Sequence, residues 1–152
     1  MRGQTQRIEV TLETLLESVD LAEDITLRVA AVAGFDEEQR YRLGMSVREA
    51  VINAYVYGNN ASRENRIFLV FELHPSMLVI HVRDQGPGFD LKDVPDPLAE
   101  ENLLKTSGRG LFLIRSFMDE LNVARPKSGG AEVIMVKRYP PARPSPAGSK
   151  EV

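Results

Sequence analysis

Val47-Arg48-Glu49-Ala50-Val51-Ile52-Asn53-Ala54 decides how the rest of the chain is read, because it sets a carboxylate and a carboxamide four residues apart in apolar surroundings. At helical pitch Glu49 and Asn53 share one face. The stripe Leu43, Val47, Ala50, Val51 and Ala54 runs beside them and is expected to face the core, which puts the polar pair at the edge of packed structure. A glutamate at such a dry edge can act as a base. An asparagine oxygen can be one hard ligand of Mg²⁺, whose other ligands are waters and phosphates. The same spacing also suits a solvated Glu beside a surface Asn, so the remaining chain has to choose.

Working outward, Asp36 with Gln39 makes a capping box for the helix that carries the pair, and Gly58-Asn59-Asn60 ends it. Upstream, Leu15, Val19, Ala22, Ile25, Val29 and Val32 recur at three and four and predict a first helix closed by Gly34. Leu16, Leu21 and Leu27 fall off that stripe and form either a homodimer or partner face or a wider buried face. Residues 5–12 alternate, with Ile8, Val10 and Leu12 on one side, as an opening edge strand would.

Downstream, residues 67–73 and 77–84 are almost continuously apolar around His74-Pro75-Ser76 and predict a hairpin in the middle of a sheet. Residues 85–107 show little periodicity and contain Pro87, Pro95 and Pro97, the mark of a functional lid or of disorder. Leu111, Ile114, Met118 and Leu121 predict a third helix, and residues 121–125 and 131–138 a last strand pair turned through Gly129-Gly130. From Tyr139 on, Pro140, Pro141, Pro144 and Pro146 cannot build core. The expected organisation is one domain over 1–138 and a Pro-rich disordered tail over 139–152. Strand, two helices, hairpin, lid, helix, hairpin describes an α+β two-layer sandwich, a mostly antiparallel sheet covered on one face by three helices.

Composition narrows the function. The 152 residues are 43% hydrophobic and 27% charged, ordinary for one globular domain with its own core. A net charge of −3 without a basic run argues against nucleic-acid binding. Zero cysteines exclude disulfides and thiolate metal sites, and His74 and His81 lack ligand spacing and read as structural. No apolar leader and no membrane-length window appear, so a cytoplasmic location and no membrane contact are expected.

Two further segments carry chemistry. Asp84-Gln85-Gly86-Pro87-Gly88-Phe89 ends a buried strand with an acid and two glycines, which lets backbone approach a flat ligand while the acid accepts from an exocyclic amine such as that of adenine. A plain β-turn uses the same residues. Thr106-Ser107-Gly108-Arg109-Gly110-Leu111 opens a helix with glycines and hydroxyls, where free N–H groups and the helix dipole attract phosphate, though a flexible joint looks alike. There is no Walker-type loop, no G-x-G-x-x-G after the first strand, and no Ser-His-Asp or Cys-His candidate.

Taken together, E-x-x-x-N-A from Glu49, D-x-G-x-G-F from Asp84 and G-R-G-L-x-L-I from Gly108 resemble the three nucleotide boxes of the GHKL superfamily, which shares the Bergerat ATP-binding fold. The short lid, the absence of a phospho-acceptor histidine helix and Ser116-Phe117-Met118-Asp119-Glu120-Leu121 look like its anti-sigma-factor serine/threonine kinases, over residues 5–138. The resemblance implies an ATP- and Mg²⁺-dependent kinase that restrains a sigma factor and phosphorylates a serine of an anti-anti-sigma (STAS-type) antagonist. By position it makes Glu49 the general base, Asn53 the Mg²⁺ ligand and Asp84 the adenine reader. Gly86 and Gly88 become the loop under the base; Thr106, Ser107, Gly108, Gly110 and Leu111 the phosphate-binding turn; and Arg109 a charge stabiliser. The alternative expectation is a nucleotide-loaded module that sequesters partners without turnover.

Overall fold

The computed structural model describes residues 4–59, 61–86 and 109–140. Five strands form one open antiparallel sheet: β1 (Gln6–Glu13), β2 (Arg66–Leu73), β3 (Met77–Asp84), β4 (Glu120–Ala124) and β5 (Glu132–Arg138), in the order β1-β2-β3-β5-β4. Helices α1 (Leu16–Ala33), α2 (Glu37–Asn53) and α3 (Arg109–Phe117) complete an α+β architecture. The hairpin expected at residues 67–84 is present, with Ile67 opposite Asp84 and Leu73 opposite Leu78.

The alternation of the strands makes the two layers. Leu12, Ile67, Leu69, Phe71, Leu78, Ile80, Val82, Val133 and Met135 are buried in one cluster with Val19, Val29, Leu43, Val47, Val51, Leu111 and Ile114 of the helices. Burial of this apolar surface is the main term holding helices to sheet. The other face carries the half-buried Phe68, Val70, Glu72, His81 and Arg83.

Helix ends follow local chemistry. Asp36 Oδ1 accepts from Gln39 N–H at 2.8 Å, but Gln39 does not reciprocate and its Oε1 has no partner, so only half of the capping box forms. Gly34 stops α1 at φ 92°, a left-handed conformation that costs glycine little.

Three expectations need correction. Val32 is 77% exposed, and the buried face of α1 is instead Ser18, Val19, Ala22, Thr26, Val29, Ala30 and Ala33. Thr26 tolerates burial on this face because its hydroxyl donates to the Ala22 carbonyl at 2.7 Å. Next, α2 does not run to Gly58: it passes at Asn53 into a π-helical turn over Ala54–Gly58, in which Asn59 N–H bonds the Ala54 carbonyl at 2.7 Å. Finally, Leu121 belongs to β4, since α3 has ended at Phe117. Tyr139, assigned by composition to the tail, packs on Phe35 with ring centroids 5.6 Å apart and planes tilted by 42°; residues 141–152 and positions 87–107 of the expected lid lie outside the described residues. Among the described residues no helix is long and apolar enough to cross a membrane.

Candidate functional site

Helix α2 presents Glu49 and Asn53 one turn apart, at the point where the first turn of α3 arrives. A Cβ at Gly110 would lie 2.9 Å from Glu49 Oε2 and 3.7 Å from Asn53 Nδ2, so a glycine lets the α3 backbone come this close. Glu49 is half-buried, and that burial pushes its carboxyl above the ordinary value against the opposing pull of Arg48. The guanidinium of Arg48 is itself engaged with Asp20 at 2.5 Å and Glu23 at 3.0 Å on α1. Asn53 is 2% exposed and its Nδ2 has no hydrogen-bond partner. A half-turn of the carboxamide exchanges nitrogen and oxygen, so this position can equally offer an oxygen to a cation.

Asp84 closes β3 at 1% exposure. Its N–H donates to the Ala131 carbonyl at 3.0 Å, and Ala131 N–H donates to Oδ1 at 3.2 Å. Oδ2 is buried without a partner. Burial pushes the carboxyl up to about 6, against the N–H groups of Ala131 and Gly86 and the charges of Arg125 and Arg83. An unmatched buried acceptor is costly in a resting protein and suits a site whose ligand brings the donor. The carboxylate rests on the π-turn that continues α2: a Cβ at Gly58 would overlap it.

Glu49, Asn53, Asp84, Gly86 and Gly110 are thus joined through the end of α2, its π-turn and the start of α3. Leu111 is buried beneath, and Arg109 is the first residue of α3. Gly88, Thr106, Ser107 and Gly108 lie outside the described residues. The donor set fits an adenine nucleotide with a divalent cation: an orphaned carboxylate oxygen for an amine, a buried carboxamide that offers its oxygen to a cation once turned by half a turn, and close-set backbone at a helix start for phosphate. Among the described residues no cluster of three or more His, Asp or Glu is disposed to hold a metal by itself.

Sequence reading passed over Asn59, which bonds Gln85, Gly86, Thr14 and Arg66. Its Gly-Asn-Asn context signals a turn and nothing more.

Residues 12–137 match the family described as histidine kinase-like ATPase domain. The anti-sigma F factor of Bacillus cereus is 31% identical over 114 residues, 72% of this chain and 78% of that protein. The serine-protein kinase RsbW of Staphylococcus epidermidis is 31% identical over 144 residues, 90% of this chain and 89% of that protein. A crystal structure of the RsbU and RsbW domains of Rv1364c from Mycobacterium tuberculosis shares the fold, with a TM-score of 0.64 over 91% of this chain and 34% of that one, at 17% identity. With its ATP-binding fold matched nearly end to end, the chain belongs to the histidine kinase-like ATPase family and, within it, to the group of anti-sigma factors and serine-protein kinases.

Proposed function

We propose that the chain is an ATP- and Mg²⁺-dependent serine/threonine protein kinase of a cytoplasmic partner-switching system. It holds a sigma factor or similar regulator inactive and phosphorylates a serine on an anti-anti-sigma (STAS-type) antagonist. The observation that carries the reading is the half-buried Glu49, its carboxyl raised by burial, one helical turn from the buried Asn53, whose Nδ2 has no partner, and against Gly110.

Bound ATP supplies the phosphoryl group, and Mg²⁺ offsets its charge. Asp84 accepts from the adenine amine with Gly86 and Gly88 beneath the base. Asn53 is the residue that would hold the cation, which would offset phosphate charge. Gly110 and Leu111 at the start of α3 take the phosphates, a role shared in sequence by Thr106, Ser107 and Gly108, and Arg109 is the charge stabiliser. Glu49 takes the proton from the acceptor serine hydroxyl, and a raised carboxyl makes it a stronger base than an exposed glutamate once ionised. Leu16 and Leu21 on α1, 66% and 50% exposed, are the face offered to a partner or a second copy.

Glu49→Gln should lower transfer of radiolabelled phosphate from ATP to an antagonist by about 10²-fold or more while ADP affinity stays near wild type. Wild-type transfer should rise with pH through a step above the usual carboxylate range, and the residual transfer of the variant should lack that step. Full transfer by the variant removes the base assignment. Tight ADP uptake by the wild type with no transfer to any antagonist would instead mark a sequestering module without turnover.

A further inference from the structure

Asn59 lies outside the three nucleotide motifs, yet it is 1% exposed and its carboxamide uses all four of its hydrogen-bonding positions. Oδ1 accepts from Gln85 N–H at 2.9 Å and from Gly86 N–H at 2.8 Å. Nδ2 donates to Thr14 Oγ1 at 2.8 Å and to the Arg66 carbonyl at 3.1 Å. The Thr14 hydroxyl gives its own proton to the Asn65 carbonyl at 2.8 Å, so the lone pair that meets Asn59 requires a donor. Two N–H groups on one side and two acceptors on the other fix which end of the amide is nitrogen. An aspartate here would set carboxylate lone pairs against the Arg66 carbonyl and the Thr14 oxygen.

The two N–H groups that Asn59 holds follow Asp84 directly in the chain. Their seat is close: a Cβ at Gly86 would overlap the Gly58 carbonyl and lie 2.8 Å from Asn59 Cα. We propose that Asn59 is a positioning residue of the nucleotide site, clamping residues 85 and 86 onto the π-turn so that the unpartnered Oδ2 of Asp84 stays aimed at the base. The inference rests on the adenine-nucleotide reading above. Asn59 acts through the backbone beside Asp84 rather than by touching the ligand.

Two shape-conserving variants of the full chain test it. Asn59→Asp turns both donors into lone pairs that face the Arg66 carbonyl and the Thr14 oxygen and so drive the side chain off its seat, and Thr14→Val removes one acceptor of Nδ2. ADP affinity in magnesium buffer is measured by calorimetry where circular dichroism shows each variant folded, and hydrogen exchange is followed over residues 84–86. Asn59→Asp should weaken ADP binding about tenfold or more, and Thr14→Val less but in the same direction. In both, the amides of Gln85 and Gly86 should exchange faster. A merely structural Asn59 would lower the denaturation midpoint and leave the Kd of the folded protein unchanged, which overturns the proposal. Should Asn59→Asp not fold, Thr14→Val decides alone. Unchanged exchange at residues 85 and 86 overturns the clamp however nucleotide behaves, whereas faster exchange in a protein whose wild type takes up no ADP overturns the nucleotide reading and, with it, the clamp's assigned purpose.

Discussion

Asp84 carries its carboxylate where water cannot reach one oxygen and no protein donor meets it. Its proton is held more tightly in the folded chain, at about 6, than at the ordinary 3.8. The sign follows: Asp84 favours folding most below about pH 4, and that contribution disappears as pH rises through about 6. Urea unfolding of wild type and Asp84→Asn at pH 4, 5, 6 and 7 should show the wild type losing stability relative to the variant across this range. Glu49 shifts in the same direction and is present in both proteins, so the difference isolates Asp84. A difference independent of pH would contradict the burial argument. ADP binding should be weaker in Asp84→Asn, because the carboxylate is the better acceptor for an amine. Glu49, Asn53 and Asp84 were legible from sequence because each sits in a local pattern: helical spacing for the first two, an acid at the end of an apolar strand for the third. Asn59 was not. Three of its four partners stand 26, 27 and 45 residues away, and no short-range pattern encodes a bond of that separation.

At the scale of elements, α2 contains a glycine that its position does not require. A Cβ at Gly44 would lie 3.1 Å from Leu27 Cδ2 on α1, the free end of a half-buried flexible side chain that can yield a few tenths of an ångström. Alanine in a helix interior is favoured over glycine by about 1 kcal/mol, which exceeds the cost of that small adjustment. Gly44→Ala should therefore raise the melting temperature by about 2–4 °C with ADP affinity unchanged. A fall would mean that the α1–α2 contact cannot relax. The end of α1, the start of α2 and both hairpins were readable because apolar period and capping residues are local signals. The π-turn was not: Ala54-Tyr55-Val56-Tyr57-Gly58 continues a helical pattern, and the extra residue per turn is taken up where Gly58 must slide under Asp84 and Asn59 must reach Gln85.

For the molecule as a whole, packing among the described residues reaches past the last residue of β5. Tyr139 packs on Phe35, which is 1% exposed, and its N–H bonds the Ser76 carbonyl at 3.2 Å. Truncation after Pro140 should leave the thermal midpoint within about 1 °C of full length, since a change that small corresponds to a few tenths of a kcal/mol. Truncation after Arg138 should cost about 1–2 kcal/mol, the worth of a partly buried aromatic and its ring contact. Equal melting of the two products would place the boundary at the end of β5 instead. By itself the sequence determined the class of fold and the order of its elements and nominated candidate site residues, because periodicity, caps and side-chain type act over a few neighbours. Only the tertiary structure decided that the end of α2 unwinds into a π-turn, that Asn59 ties it to the strand bearing Asp84, and that one carboxylate oxygen is left waiting. Those outcomes depend on which distant backbone groups are brought within bonding distance once the sheet and helices have packed.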